Sequence, residues 1–248
     1  TGWELQLDID GEKYFDHTGR IGRIEYAAEG EDGYDAPKLP SLSEYLSLAM
    51  DIGNKGTFGH STDFRSLDES NGVWHLHLYG KGEPGPVIVT GSILNQVPED
   101  LYISVVDIPR RAVVDHFLET GLTIKEKITT AYELKLVAGD ENYVLETVEN
   151  ILADIPEEFS LSQNYPNPFN PLTKIDFALP KTGRVVITIY NILGQEVTTI
   201  INQRLDYGYH TVTWQGTDRM GRPVGSGVYF SELKAAGNRK TRKMLLMK

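Results

Sequence analysis

The chain has 248 residues, 40% hydrophobic and 24% charged, enough to bury the core of one large or two modest domains and unlike a disordered chain. Its 24 glycines and 12 prolines favour short strands over long helices, and the absence of cysteine excludes disulfides, thiolate nucleophiles and cysteine-ligated zinc or iron–sulfur sites. The net charge of −11 is uneven: residues 1–156 carry 12 Lys and Arg against 28 Asp and Glu, or −16, while residues 157–248 carry 12 against 7, or +5. An acidic front part repels nucleic acid and anionic membranes.

No apolar run approaches the ~20 residues of a transmembrane helix, and Thr1 is not followed by a basic and then apolar leader. A mature or soluble piece with no transmembrane segment is expected.

From Trp3 onward apolar residues alternate with polar ones, the period of a strand with one wet face. Trp3, Leu5 and Leu7 alternate with Glu4 and Gln6, and Trp74, Leu76 and Leu78 share one face of Val73 to Tyr79. Further strands are expected at Arg23 to Ala27, Leu46 to Ile52, Val87 to Ile93, Leu101 to Val106, Ala112 to Phe117, and Leu122 to Val137 with a turn. Together they predict an antiparallel sandwich of about eight to ten strands. Between Tyr143 and Asp154 the apolar spacing suits a short helix as well as a last strand, and both stay open.

Three prolines in six residues, Pro166, Pro168 and Pro171, exclude helix and central strand, so Asn164-Tyr165-Pro166-Asn167-Pro168-Phe169-Asn170-Pro171 reads as a stiff extended strap. The strand pattern resumes at Lys174 to Leu179, Arg184 to Tyr190, Glu196 to Ile201, His210 to Trp214, Val228 to Ala235 and Lys240 to Met247, with turns at Asn191 to Gly194 and Asp218 to Gly221. The expected fold is therefore all-β: an acidic β-sandwich over 1–155, the strap over 156–171, and a second, smaller sandwich over 172–248. Trp214 and Tyr229 are expected in its core. Lys240, Arg242, Lys243 and Lys248 make its last strand basic, which suits a sheet edge guarded against association.

The strap, Ile175 to Pro180, Ile189-Tyr190-Asn191, Gly194 to Val197, Trp214, Gly216, Asp218, Gly221, Val224, Ser226-Gly227-Val228-Tyr229 and Lys243 to Lys248 resemble the type A C-terminal sorting domain of the bacterial type IX secretion system. The match covers roughly Phe159 to Lys248, and its pattern is also similar to the immunoglobulin-like sandwich of the flagellar hook-capping protein. The resemblance implies an immunoglobulin-like fold and an export address read by the type IX machinery. Gly227, Tyr229, Lys243, Met244 and Lys248 would carry the signal, and the site would be the secreted or outer-membrane-attached surface of a Gram-negative, Bacteroidetes-like bacterium. Residues 1–155 would be the cargo, and Glu31 to Pro40, Asp63-Phe64-Arg65 and Gly72-Val73-Trp74 loosely resemble sandwich modules that precede such domains.

Signs of chemistry in the cargo are few. Glu29, Glu31, Asp32 and Asp35 in a glycine-containing loop are the candidate calcium ligands; Asp8, Asp10, Glu12 and Asp16 begin like a calcium loop but misplace its glycine. His75 and His77 share a strand face without a nameable third ligand. There is no Gly-x-Ser-x-Gly elbow, His-Glu-x-x-His or phosphate loop. The leading expectation is a non-enzymatic structural or adhesive surface protein without a required cofactor. Two alternatives stay open. One is a self-assembling subunit of an extracellular filament. The other is a carbohydrate-binding accessory module of a larger secreted enzyme, meeting surface glycans through Trp3, Tyr14, Phe15, Tyr26, Tyr34 and Trp74.

Overall fold

A computed structural model describes the chain apart from residues 1, 26, 28–34, 37–44, 52–59, 67–70, 82–84, 96 and 129–130. The chain is nearly all β and divides into two compact units, Thr1–Leu152 and Ala153–Lys248.

In the first unit the strands are β1 Trp3–Asp10, β2 Phe15–Arg23, β3 Tyr45–Asp51, β4 Thr62–Arg65, β5 Gly72–Lys81, β6 Val87–Ile93, β7 Tyr102–Asp107, β8 Ala112–Asp115, β9 Leu122–Ile124 and β10 Tyr132–Gly139. They form two five-stranded sheets, ordered β4-β2-β1-β6-β9 and β3-β5-β10-β7-β8. Among the described residues of this unit all strand pairings are antiparallel except β2 with β4. The alternation seen in the sequence is the packing pattern itself: Trp3, Leu5, Leu7 and Ile9 meet Leu48, Met50, Trp74, Leu76 and Leu78 in one core. Each such side chain stabilises by ~1.5–3 kcal/mol through burial.

Three features depart from expectation. β4, Thr62–Arg65, lies outside the expected strands, and its parallel pairing with β2 departs from a purely antiparallel sandwich. The strand expected from Arg23 to Ala27 instead ends at Arg23, because β2 runs upstream through Phe15–Arg23. Its two glycines leave few side chains to show a period, and Gly19 and Gly22 lie so close to the backbone of β1 that a Cβ would approach Leu7 O at 2.8 Å and Trp3 O at 2.2 Å. At the end of β8 the chain turns into a short helix, α1, at Phe117–Thr120, with Phe117 fully buried.

Glu141–Asp154 forms a helix, α2, that buries Val144, Val148 and Ile151. Asp140 settles its start: its Oδ1 accepts the Tyr143 N–H at 2.9 Å, and its carbonyl accepts the Val144 N–H at 3.0 Å. The Tyr143 N–H first, and then the Asn71 side-chain amide at 3.1 Å, hold the Asp140 carboxyl below the usual carboxylate range.

The second unit contains β11 Ser160–Leu161, β12 Thr173–Leu179, β13 Gly183–Asn191, β14 Glu196–Leu205, β15 Gly208–Trp214, β16 Gly227–Ala235 and β17 Asn238–Leu246. Sheets ordered β11-β12-β15 and β14-β13-β16-β17 enclose Ile175, Phe177, Ile187, Ile189, Leu233, Met244 and Leu246. The 156–171 segment is built into this sandwich: Leu161 and Phe169 belong to its core.

Candidate functional site

The C-terminal strand β17 is an edge strand held from both sides. On the inner side it pairs with β16 in a continuous antiparallel register from Gly227↔Leu246 through Tyr229↔Met244 to Ala235↔Asn238. On the outer side the strap covers its last turn of pleat. Phe169 N–H donates to Leu245 O at 3.0 Å, Met247 N–H donates to Phe169 O at 3.0 Å, and Leu245 N–H donates to Asn167 Oδ1 at 2.9 Å. Upstream, Gln163 Nε2 donates to Lys243 O at 2.8 Å and Arg242 Nε donates to Leu161 O at 2.8 Å. Side chains and strap thus satisfy backbone groups that an open edge would offer to another chain.

The strap keeps its shape by internal bonds. Asn164, 2% exposed, donates from Nδ2 to Pro166 O at 3.0 Å and to Thr173 Oγ1 at 2.8 Å, while Thr173 donates to Pro166 O at 2.9 Å. Tyr165 and Lys174 exchange backbone bonds of 2.9 Å. Prolines cannot donate, so the asparagine side chains serve where backbone N–H groups are missing. Tyr165 itself projects outward, 78% exposed, and Pro166, Pro168, Asn170 and Pro171 are also at the surface.

Beneath the clamp lies an aromatic stack. Trp214 is the hinge of it, 5.5 Å from Phe169 and 5.1 Å from Tyr229 between ring centres. Trp214 Nε1 donates to Thr217 O at 3.0 Å, and the Tyr229 hydroxyl donates to Gly225 O at 2.8 Å. Burial raises the Tyr229 phenol pKa, so it stays a donor. Gly216 has φ 64°, and a Cβ there would meet Pro171 O at 3.1 Å; Gly227 has φ 158° where β16 begins. Met244 is fully buried, while Lys243 and Lys248 point to solvent and the Lys248 N–H is held by Ser226 Oγ at 3.0 Å.

Residues 172–238 match the family model of the FlgD Ig-like domain. No curated protein matches the chain. Among solved structures, FlgD from P. aeruginosa is 25% identical over 30% of this chain and 58% of that one, with a TM-score of 0.25. PorZ, a surface component of the type IX secretion system of Porphyromonas gingivalis, is 13% identical over 70% of this chain and 21% of its own, TM-score 0.27. Dimeric latent PorU from Porphyromonas gingivalis is 12% identical over 99% and 20%, TM-score 0.32. The chain thus spans 58% of the first of these proteins and about a fifth of the other two.

The Ig-like unit brings together every residue named for its signal: Gly227 and Tyr229 on β16, Met244 and Lys243 on β17, Lys248 beyond it, and the strap against them. Sequence reading missed Gln163 and Arg242 as ties between the strap side and the last strand; their neutral or basic character carries no signal before the pairing is known.

In the first unit Glu29, Glu31 and Asp32 lie outside the described residues. Asp35 is 7% exposed and its Oδ1 accepts the Phe64 N–H at 2.9 Å. Asp16 accepts from Thr18 N, Thr18 Oγ1 and Leu48 N, and Asp10 meets His17 Nε2 at 2.8 Å. Among the described residues no three metal-ligating side chains converge. His75 and His77 stand on the wet face of β5, where His77 Nε2 lies 4.0 Å from Asp51. Of the aromatic residues, Trp3 and Trp74 are core at 4% and 0% exposed, whereas Phe15 is 71% exposed; Tyr26 and Tyr34 lie outside the described residues.

Proposed function

We propose that the Ig-like unit is a type IX C-terminal sorting domain and that the acidic sandwich is its passenger, delivered to the surface or exterior of a Bacteroidetes-like bacterium. The observation that carries this reading is the clamped terminus. The strap motif and the last strand, distant in sequence, form one surface on which Lys243 and Lys248 face solvent and from which Met244 and Leu246 are withdrawn. A folded cargo presents such a terminus without unfolding, because the aromatic stack beneath anchors it. The match to the FlgD Ig-like domain supports the fold of this unit. The resemblance of its motifs to the sorting family supports the role.

On this reading the protein is a non-enzymatic structural component whose partner is the export machinery. The full chain placed behind a signal peptide and expressed in a type IX-competent bacterium is expected at the cell surface or in the medium. A variant lacking residues 243–248 is expected to accumulate in the periplasm, where protease resistance of the first unit checks that the passenger folded. Equal export of both chains would sink the proposal. The absence of a catalytic role is tested separately by incubating purified protein with glycan and peptide substrates; turnover at enzyme-like rates overturns it.

A further inference from the structure

The β13–β14 turn exposes two consecutive large apolar side chains, Ile192 at 70% and Leu193 at 75%. The turn is stiff: Asn191 Oδ1 accepts the N–H groups of Leu193 and Gln195 at 2.9 and 3.0 Å, and Gly194 N–H donates to Asn191 O at 3.0 Å. A second turn stands beside it, because Arg219 N–H donates to Val197 O at 3.1 Å at the start of β14. That turn carries Met220, 68% exposed, and the solvent-facing Arg219, and it is braced by Asp218 bonding Met220 N, Arg222 N and the Arg222 guanidinium. One end of the Ig-like unit is therefore a rigid apolar knob with the solvent-facing Arg219 at its edge, the Arg222 guanidinium being paired with Asp218. Exposed apolar side chains scattered singly need no explanation; a pair on a braced tip with a third on the adjoining turn does.

The first unit holds a cavity of about 290 Å³ lined by Ile93, Val97, Pro98, Leu101 and Leu118, with Tyr102, His116 and the exposed Glu119 also on its wall. Its size lies just below the ~300–1,000 Å³ of small-ligand pockets, which suits one or two side chains better than a whole ligand. The loop before β7 and α1 form its wall, and Ile93 within it is 54% exposed. Its unit carries the negative side of the chain's charge, −16 in residues 1–156 against +5 in residues 157–248.

We propose that Ile192 and Leu193 of one copy insert into this cavity of a second copy, with Arg219 steering toward the acidic unit. Apolar knob, apolar hole and opposite charge occur on the same chain, so a second copy is the occupant that both surfaces fit. The contact is heterologous, using different surfaces on the two partners, and therefore extends into an open chain or closes into a ring. It stands independently of the export reading, since it is a property of the purified protein.

The test is sedimentation velocity of the full chain over rising concentration, with Leu193→Glu as a knob variant and Ile93→Glu as a hole variant. Both replaced side chains are largely exposed, and circular dichroism checks that each variant folds; Ile192→Ser and Val97→Glu replace any that does not. Wild type is expected to associate with concentration and to weaken at high salt. Each variant alone is expected to associate at least about tenfold more weakly. Mixed, the two variants retain one intact knob and one intact hole, and are expected to form 1:1 dimers that grow no further. A wild type that stays monomeric at the highest concentration, variants that associate like wild type, or a mixture without dimers would each overturn the proposal.

Discussion

Each unit closes its sandwich over a fully buried tryptophan, and the two do so with different chemistry. In the first, Trp74 meets the Trp3 ring edge-on at 5.6 Å and has two guanidinium groups at its ring, Arg65 at 4.6 Å and Arg23 at 5.8 Å, while the indole N–H donates to Asp63 O at 3.2 Å. Arg23, 1% exposed, donates to the carbonyls of Ser66 and Asn71, and Arg65 pairs with the buried Asp63 at 3.0 Å. In the second, Trp214 lies between Phe169 and Tyr229, and the closing residue Phe169 comes from the strap. Cations above an indole tie the loops that hold their carbonyl partners, whereas rings above an indole tie the segment that supplies the ring. The first plug adds charge held out of water to the apolar packing it shares with Trp3; the second rests on apolar fit without cations and locks down the last strand.

The largest effects should come from removing the plugs. Trp74→Ala and Trp214→Ala are each expected to cost ~3–5 kcal/mol. Urea titration followed by circular dichroism and amide exchange should place each loss in its own unit; losses spread over both would break the comparison. Phe169→Ala is expected in the same range for the second unit, and additionally to speed amide exchange at position 169 and at Met247, whose N–H groups donate to Leu245 O and to the residue-169 carbonyl.

Next in size are buried polar groups. Asn164→Ala removes the side chain that bridges Pro166 O and Thr173 Oγ1, and should destabilise the Ig-like unit by ~1–3 kcal/mol in urea titration. In the first unit Asp107 is fully buried, accepting the Tyr132 hydroxyl at 2.9 Å on both oxygens and pairing with Arg110 at 3.3 Å. Burial holds its carboxyl above the ordinary range, opposed by the bonds from Tyr132 and Arg110. Because the folded pKa lies above the unfolded one, the cost is present once the carboxylate ionises and is relieved as pH falls through that folded value. Tyr132→Phe should therefore cost ~1–3 kcal/mol at neutral pH, with the deficit shrinking in acid; a deficit independent of pH would mean that Asp107 does not titrate with folding.

The smallest effect belongs to the surface. His17 and Asp10 pair at 2.8 Å with both side chains about half exposed, and the hydrogen bond that the imidazole donates to Asp10 raises its pKa. The contribution is complete below the unfolded value near 6.5 and disappears as pH rises through the raised folded one. Solvent screening limits it, so His17→Gln should change stability by no more than ~0.5 kcal/mol at pH 6 and not measurably at pH 8.5.

Strand and core were legible wherever one face is buried and the other wet, as in β1 and β5, because the alternation of side chains is the same fact as the alternation of burial. The capping aspartate of α2 was also legible in principle: Asp140 precedes an apolar-periodic run, and giving it weight decides helix over strand. β2 was not, since its glycines mark close approach to β1 rather than a side-chain period. In the candidate site, the strap and the last strand each announced themselves by composition, three prolines on one side and a basic run on the other.

The sequence by itself determined two β-rich units of opposite charge, their apolar faces, and a stiff proline segment, because these follow from local geometry and side-chain chemistry. Only the tertiary structure decided that Phe169 reaches Leu245 and Met247, that Arg23 and Arg65 stand at Trp74, and that the apolar turns at Leu193 and Met220 lie side by side. Those contacts join residues far apart along the chain. Nothing local distinguishes a phenylalanine that will close a core from one that will face water, as Phe169 at 2% and Phe15 at 71% exposure show.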